Sequence, residues 1–392
     1  MATNPELPLL FQPLSIRDLT LKNRVVIAPM MQHAASEGLP TSWHLVHLGK
    51  FALGGAGLVL TECTAVSPVG RIGKDDLGLW TDEQADALTP IVDFVHSNGA
   101  AIGVQLGHAG RKAGSMPLWN GGGMPLDPEH MMGIAPAWRR IGPSAIAAAT
   151  GWSVPDVMDS ASINCVVEEF RAAALRAHRA GFDVVELHFG HGYLVASFLS
   201  PVSNHRHDDF GGNREGRMRL ALQIVTAVRE VWPSSKPLFC RVSSVDGAVG
   251  GWSMEDTVVL AIELKKFGVD VIDCSSGGLS EQGAALPVAR GLGFQVPFAH
   301  QVRKEAHVLT QAVGMIVNGQ QAEDILRSGS ADLIAVGREA LYDPYWALHA
   351  QTAICPDSTF HDWPLPHGVW LEKRHASLQD ALANDLTLNR SN

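Results

Sequence analysis

Short runs of apolar residues recur along the chain, and a glycine stands just before several of them. Clear examples follow Gly55, Gly181, Gly268 and Gly329, where each run is rich in Val, Ile and Leu. A glycine just past a helix provides a left-handed cap, and such runs are typical of strands buried on both faces. The pattern predicts eight strands, at about residues 24–29, 57–64, 101–107, 183–188, 237–243, 270–275, 312–317 and 331–337.

Helix-like segments lie between the predicted strands. The clearest covers residues 160–180, and another begins at Asp343 and Pro344. Eight strand–helix alternations predict an α/β fold, a (β/α)8 TIM barrel that forms a single domain over residues 1–352. A doubly wound sheet is the alternative, but no G-x-G-x-x-G motif follows the first strand, which disfavours it.

Two segments fall outside this alternation. Residues 112–158 contain Trp119 and the glycines 121–123, and we interpret them as an excursion inserted after strand three, near the active face. Residues 353–392 form a C-terminal tail that we expect to be partly ordered.

Composition and charge exclude several classes of protein. Of the 392 residues 46% are hydrophobic and 18% charged, against about 25% charged in typical domains, which favours a large core over disorder. The net charge is −10 and no basic run is present, so we expect no nucleic-acid partner. The sequence shows neither a membrane-spanning run nor the form of a signal peptide, which predicts a cytoplasmic protein without a membrane partner. Five scattered cysteines without a C-x-x-C pair disfavour a disulfide framework, a cysteine zinc site and an iron–sulfur cluster.

In a barrel of this kind ligands bind where the strands end, so the residues there carry the functional information. His188 and His191 are three residues apart just past a strand, and both can donate to a single oxygen; packed core histidines and metal ligands are the competing interpretations. Tyr193 is either a proton donor or a buried structural tyrosine. A metal centre is disfavoured because the first strand ends in Met30 and Met31, which offer only soft sulfur.

Several motifs together resemble the old yellow enzyme family, and most closely its xenobiotic-reductase and thermophilic-like branch. The resemblance covers roughly residues 8–350, and the motifs are Leu21–Met30, Gln105–Arg111, His188–Tyr193, Ser200–Arg206 with Phe210–Gly212, and Val313–Ile316 with Val336–Arg338. It implies an FMN-containing barrel that uses NADPH or NADH as hydride donor. The implied activity is that of an ene-reductase, which transfers hydride via FMN to the β-carbon of an α,β-unsaturated carbonyl or nitro compound.

The resemblance also implies roles for individual residues. His188 and His191 would bind the activating group of the small-molecule substrate, Tyr193 would supply the proton, and His33 would contact the substrate. Arg241 would face the N1–C2=O edge of the flavin, and Gln105 suits its pyrimidine edge. The full implied FMN-binding set is Ala28, Pro29, Met30, Met31, Cys63, Gln105, Arg241, Gly314, Gly337 and Arg338.

This chain departs from the branch at two positions. Members usually carry cysteine where Met31 stands and tyrosine where His33 stands, so we expect FMN to bind while the substrate range and flavin potential shift. Residues 370–374 resemble a segment that crosses to a neighbouring subunit in the branch, and we expect a homodimer or homotetramer. Two alternatives remain, a flavin enzyme with shifted chemistry (a dehydrogenase or demethylase) and a metal-dependent barrel hydrolase.

Overall fold

A closed barrel of eight parallel strands forms the centre of the molecule. The computed structural model describes residues 7–126, 138–279, 288, 290–355 and 359–388. Within these residues the strands are β1 Leu14–Ile16, β2 Leu19–Leu21, β3 Val25–Ile27, β4 Leu58–Ala65, β5 Ala101–Gly107, β6 Ile141–Gly142, β7 Asp156–Val157, β8 Val184–Phe189, β9 Leu238–Ser243, β10 Val271–Ser275, β11 Leu309–Val313 and β12 Leu333–Val336. The barrel closes in the order β3-β4-β5-β8-β9-β10-β11-β12, which confirms the predicted (β/α)8 fold.

The predicted seventh strand is wrong in its position. It was placed at residues 312–317, whereas β11 spans Leu309–Val313, and the other seven strands agree to within two residues at each end. The early part of the strand contains Thr310 and Gln311, which are fully buried although they are polar. Gln311 lies on the inward face with Leu309 and Val313, and Thr310 lies on the opposite face. The strand ends earlier because Gly314 and Met315 both have positive φ angles, of 119° and 52°, which turn the chain out of the sheet.

Helices cover the outside of the barrel and follow the strands in alternation. They are α1 Ser42–Leu53, α2 Asp82–Ser97, α3 Ser160–Arg179, α4 Leu194–Leu199, α5 Arg214–Val231, α6 Met254–Lys266, α7 Val296–Ala306, α8 Gly319–Arg327, α9 Arg338–Tyr342, α10 Trp346–Ile354 and α11 Leu365–Leu388. The predicted helix at 160–180 corresponds to α3, whose apolar side chains Ile163, Val166 and Phe170 are buried. None of the described helices is both long and apolar enough to span a membrane.

A short hairpin closes the amino-terminal end of the barrel. Strands β1 and β2 pair antiparallel, and their side chains Ile16 and Leu21 are almost fully buried. These two side chains pack with the inward-facing residues at the strand starts, among them Val26, Leu58 and Phe239. The pattern of apolar runs did not predict this hairpin, because each of its strands has only three residues. With this end of the barrel filled, a ligand is expected at the opposite end, where the strands have their carboxyl ends.

The two segments outside the alternation contain some regular structure. Strands β6 and β7 pair with each other inside the 112–158 excursion. Helix α10 continues two residues beyond position 352, and α11 occupies 24 residues of the C-terminal tail. The tail helix contains many good helix formers, above all Leu and Ala, which favour a long helix.

Candidate active site

A cavity of about 660 Å³ opens at the carboxyl ends of the strands. It brings together segments that are far apart in sequence, because each follows a different strand of the closed barrel. The residues of the predicted site that line it are Ala28, Pro29, Met30, His191, Arg241, Gly314, Gly337 and Arg338. Arg290 and Gln295 line it as well and were not predicted.

A second cavity, of about 570 Å³, lies on the side of the excursion. Its walls include the predicted residues Met31, His33 and Tyr193. Met116 and Trp152 from the excursion complete the wall, so the excursion covers part of the predicted substrate region. The remaining predicted residues, Cys63, Gln105 and His188, are buried at the strand ends.

His188 and His191 point their rings toward each other. Nε2 of His188 is 3.1 Å from Nδ1 of His191, and Nε2 of His191 is 2.8 Å from Oγ of Ser275. The backbone N–H of Gly190 donates to Nδ1 of His188 at 3.3 Å, which assigns the proton of a neutral His188 to Nε2. Burial lowers the pKa of His191 to about 3, with a further contribution from the charge of Arg241, and lowers that of His188 well below its usual range. Both rings are therefore neutral at physiological pH.

The backbone of His191 is held in an unusual conformation. Its φ angle is 58°, in the left-handed region, and its N–H donates to Oγ of Ser243 at 2.8 Å. Ser243 donates in turn to the carbonyl of Gly277 at 2.8 Å, and Nζ of Lys112 donates to the carbonyl of His191 at 3.0 Å. A Cβ atom at Gly278 would lie 2.1 Å from the carbonyl carbon of His191. These contacts fix the direction of the imidazole, and sequence reasoning missed the two serines that hold it.

Tyr193 lies next to the histidine pair. Its ring centroid is 5.2 Å from that of His188 and 6.5 Å from that of His191, in edge-to-face arrangements. Burial raises the pKa of the Tyr193 phenol above its usual range, so the hydroxyl keeps its proton at all physiological pH values. A neutral buried phenol of this kind is a potential proton donor.

Two buried carboxyl groups lie beneath Arg241. Nε of Arg241 is 3.2 Å from Oδ2 of Asp273, and the amide of Gln105 donates to Oε1 of Glu186 at 2.8 Å. Burial, together with the charge of Asp273, raises the pKa of Glu186 to about 8, and burial also raises that of Asp273. Sequence reasoning missed both groups, although an acidic residue between apolar residues in each of these runs was a visible signal.

The residues of the larger cavity fit an FMN. The phosphate of FMN is anionic, and Arg338 and Arg290 offer cations beside the backbone at Gly314 and Gly337. Within the described residues Oε2 of Glu186 has no hydrogen-bond partner, although it is buried. Arg338 with the two glycines would hold the phosphate, and Arg241 with Gln105 would face the polar edge of the ring. Among the described residues no group of His, Cys, Asp and Glu is arranged to hold a metal ion.

Comparisons with known proteins agree on one family. The profile of the NADH:flavin oxidoreductase / NADH oxidase family matches residues 9–355. The NADPH dehydrogenase of Listeria welshimeri is 43% identical to this chain over 347 residues, which are 88% of this chain and 95% of that protein. Morphinone reductase superimposes with a TM-score of 0.74 at 27% identity, over 90% of this chain and 91% of its own. The old yellow enzyme homologue from Zymomonas mobilis gives a TM-score of 0.70 at 26% identity, over 86% and 90%.

Proposed function

Because this chain belongs to the NADH:flavin oxidoreductase / NADH oxidase family, the old yellow enzyme family, it is an FMN-dependent NAD(P)H oxidoreductase, and we propose that it reduces activated alkenes. The proposed substrates are α,β-unsaturated carbonyl and nitro compounds, which accept a hydride at the β-carbon. FMN, when bound, carries that hydride from the nicotinamide to the substrate. The residues of this chain bind and polarise the alkene and deliver the proton.

The observation that carries this proposal is the neutral histidine pair. The two facing nitrogens of His188 and His191 are 3.1 Å apart, so a carbonyl or nitro oxygen placed beside them can accept from both. In this contact Nε2 of His188 donates and Nδ1 of His191 accepts, so without a substrate the proton of His191 lies on Nε2 and Ser275 accepts it. For a substrate oxygen to accept from both rings, the proton of His191 moves to Nδ1 and Ser275 donates to Nε2, because a serine hydroxyl can either donate or accept. Hydrogen bonds to the activating oxygen draw electron density from the β-carbon and stabilise the negative charge that hydride transfer creates.

Tyr193 completes the proposed reaction. Its phenol is neutral, buried and adjacent to the histidine pair, and it also lines the cavity at the excursion. A substrate whose oxygen lies at His188 and His191 would place its alkene near this phenol, which then protonates the α-carbon. Replacing the phenol by Tyr193→Phe should slow the alkene reduction more than the reduction of FMN by NADPH.

The direct test follows the flavin spectrum of the purified protein under anaerobic conditions. NADPH should bleach the oxidised flavin, and subsequent addition of cyclohexenone should restore its colour. A flavin that is reduced by NADPH but not reoxidised by cyclohexenone or by a nitroalkene would refute the proposed substrate class. That result would instead favour a dehydrogenase or demethylase of the same family.

A further inference from the structure

His33 and the buried carboxylate of Asp76 form a close pair on the wall of the 570 Å³ cavity. Nδ1 of His33 is 2.7 Å from Oδ1 of Asp76, whose side chain is only 1% exposed. The other oxygen of Asp76 accepts from the backbone N–H of Gly73 at 2.5 Å. The pair is an ion pair by distance, and a buried carboxylate beside Nδ1 favours a proton on that nitrogen. The chemistry of the exposed edge of the ring therefore depends on whether Nε2 is also protonated.

The surrounding chain fixes the direction of this imidazole. His33 has a φ angle of 49°, in the left-handed region, and its ring contacts Trp119 edge-to-face at a centroid distance of 5.5 Å. A Cβ atom at Gly73 would lie 2.7 Å from Nδ1, so the loop packs directly against the pair. Because the Nδ1 edge faces Asp76, the Nε2 edge reaches the cavity that Tyr193 also lines.

Acidic side chains surround His33 on the protein side. Burial alone lowers the pKa of His33, but the hydrogen bond and charge of Asp76, with the charges of Glu62 and Asp75, outweigh it and raise the pKa above its usual 6.5. Glu62 is itself held by His44, at 3.3 Å, and by the N–H of Gln32. The nearby cations have other contacts: Arg71 stacks on Trp80 and Trp138, and Lys112 donates to backbone carbonyls. The contact with Asp76 and the neighbouring acidic groups therefore favour the protonated form of His33, in which Nε2 also carries a proton.

We propose that His33 and Asp76 form an anion-selective subsite, which favours activated alkenes that carry a carboxylate at the end away from the oxygen held by His188 and His191. This inference rests on the proposed function, since it concerns the second end of the same substrate. When His33 is protonated, Nε2–H donates a charge-assisted hydrogen bond to the carboxylate. When His33 is neutral, Nε2 presents a lone pair and the attraction is lost. The preference for the anion is thus present below the pKa of His33 and disappears as the pH rises through it.

Two ligand pairs that differ in charge at one end test the proposal. The first is 4-oxopent-2-enoate and its methyl ester, which are substrates; the second is their saturated products, which bind without turnover. Binding of the saturated pair to oxidised holoenzyme is measured from the flavin spectrum over a range of about pH 5.5 to 9.5, where the carboxylate stays ionised. At the acidic end the acid should bind at least about tenfold more tightly than the ester, and the ratio should fall toward one as the pH rises.

Variants distinguish a loss of anion preference at this subsite from a general loss of the fold. His33→Gln should abolish the pH dependence of the acid-to-ester ratio, and Asp76→Asn should move its midpoint to lower pH. His96→Gln is the matched control, because Nε2 of His96 also contacts a carboxylate, Oδ2 of Asp183 at 2.7 Å, but His96 lines neither cavity. Its acid-to-ester ratio should follow that of the wild type. FMN content and thermal unfolding identify variants that have lost the fold.

The outcomes distinguish a failure of the anion subsite from a failure of the proposed alkene reduction. A wild-type ratio that does not change with pH, or a ratio that His33→Gln retains, overturns the anion subsite. If the saturated pair shows the expected ratio but neither unsaturated compound reoxidises the reduced flavin, the subsite stands and the proposed alkene reduction fails. If the unsaturated ester and cyclohexenone are both reduced while the binding ratio of the saturated pair does not change with pH, only the subsite is refuted.

Discussion

Replacing Ser275 by alanine removes the hydroxyl that contacts the imidazole of His191. Oγ of Ser275 is 2.8 Å from Nε2 of His191, and the side chain is buried at the end of β10. The backbone carbonyl of Ser275 still accepts from the N–H of Ser244 in the variant, so the strand end keeps its hydrogen bond. Ser275→Ala therefore changes one hydrogen bond in a site whose backbone is otherwise held by Ser243 and Gly277.

The expected cost follows from the role of that hydroxyl in the choice of tautomer. When a substrate oxygen lies beside the histidine pair, Ser275 as donor to Nε2 allows the proton of His191 to lie on Nδ1, where it can reach that oxygen. Loss of one such hydrogen bond costs about 0.5–1.5 kcal/mol, so the affinity for a carbonyl ligand should fall by about two- to tenfold. Ser275→Cys keeps a weak donor and should give a smaller loss.

Titration of oxidised holoenzyme with a saturated ketone, followed by the flavin spectrum, measures this affinity without turnover. Steady-state kcat/KM for cyclohexenone should fall by a similar factor, while FMN content stays at the wild-type level. If Ser275→Ala binds the ketone as tightly as the wild type, Ser275 does not determine the His191 tautomer. Another group would then have to place the proton of His191 on Nδ1, so that His188 and His191 both donate to the substrate oxygen.

Three further predictions concern the flavin, the hairpin and a buried histidine. Met31→Cys should make the FMN midpoint potential more positive, because a thiol donor stabilises the electron-rich reduced form; spectroelectrochemistry that shows no shift contradicts this. Ile16→Ala should lower the free energy of unfolding by about 2–5 kcal/mol in urea titrations, since Ile16 fills the closed end of the barrel. Burial lowers the pKa of His47 to about 4, so the unfolded chain binds a proton more readily below pH 6.5. As the pH falls from 6.5 to about 4, the protonation of His47 in the unfolded chain should lower the free energy of unfolding of the wild type by up to about 3 kcal/mol. His47→Leu should show a smaller loss in urea titrations over the same pH range.

The sequence could predict which segments lie together at the rim of the barrel, because the topology of the barrel determines their positions. Once eight strands alternate with helices, the residues after Ile27, Val313 and Val336 must share one rim, whatever their side chains are. The error at the seventh strand has a physical cause: Thr310 and Gln311 are polar and buried, so their run did not read as apolar. An apolar pattern locates a strand by its hydrophobic residues, so the polar residues early in β11 displaced the predicted strand toward its apolar end at Ala312 and Val313.

Contacts between individual side chains could not be predicted in the same way. Ser275 is 84 positions from His191 along the chain. Asp76 contacts His33 from a loop in which the backbone N–H of Gly73 donates to the Asp76 carboxylate. Such pairs depend on rotamers and on local φ angles, such as the left-handed conformations of His33 and His191. Hydrophobic periodicity does not encode either of these. The motifs therefore identified the residues that face the ligand, but not the residues that orient them.

The orienting residues follow a common rule that accounts for the chemistry of the site. Behind Arg241 lies Asp273, behind His33 lies Asp76, and behind the ring of His191 lies the hydroxyl of Ser275. In the first two pairs a carboxylate accepts on the protein side, and Ser275 donates to Nε2 of His191 when a substrate oxygen is bound, so in each case the edge that faces a cavity can donate. Tyr193 adds a phenol that stays protonated. Both cavities thus present donors and cations to their contents, which stabilises negative charge wherever it develops in a bound ligand. Hydride addition to an activated alkene develops negative charge on the activating oxygen, and a phosphate or carboxylate carries it permanently, so one arrangement of donors serves the proposed cofactor site, the reaction and the anion subsite.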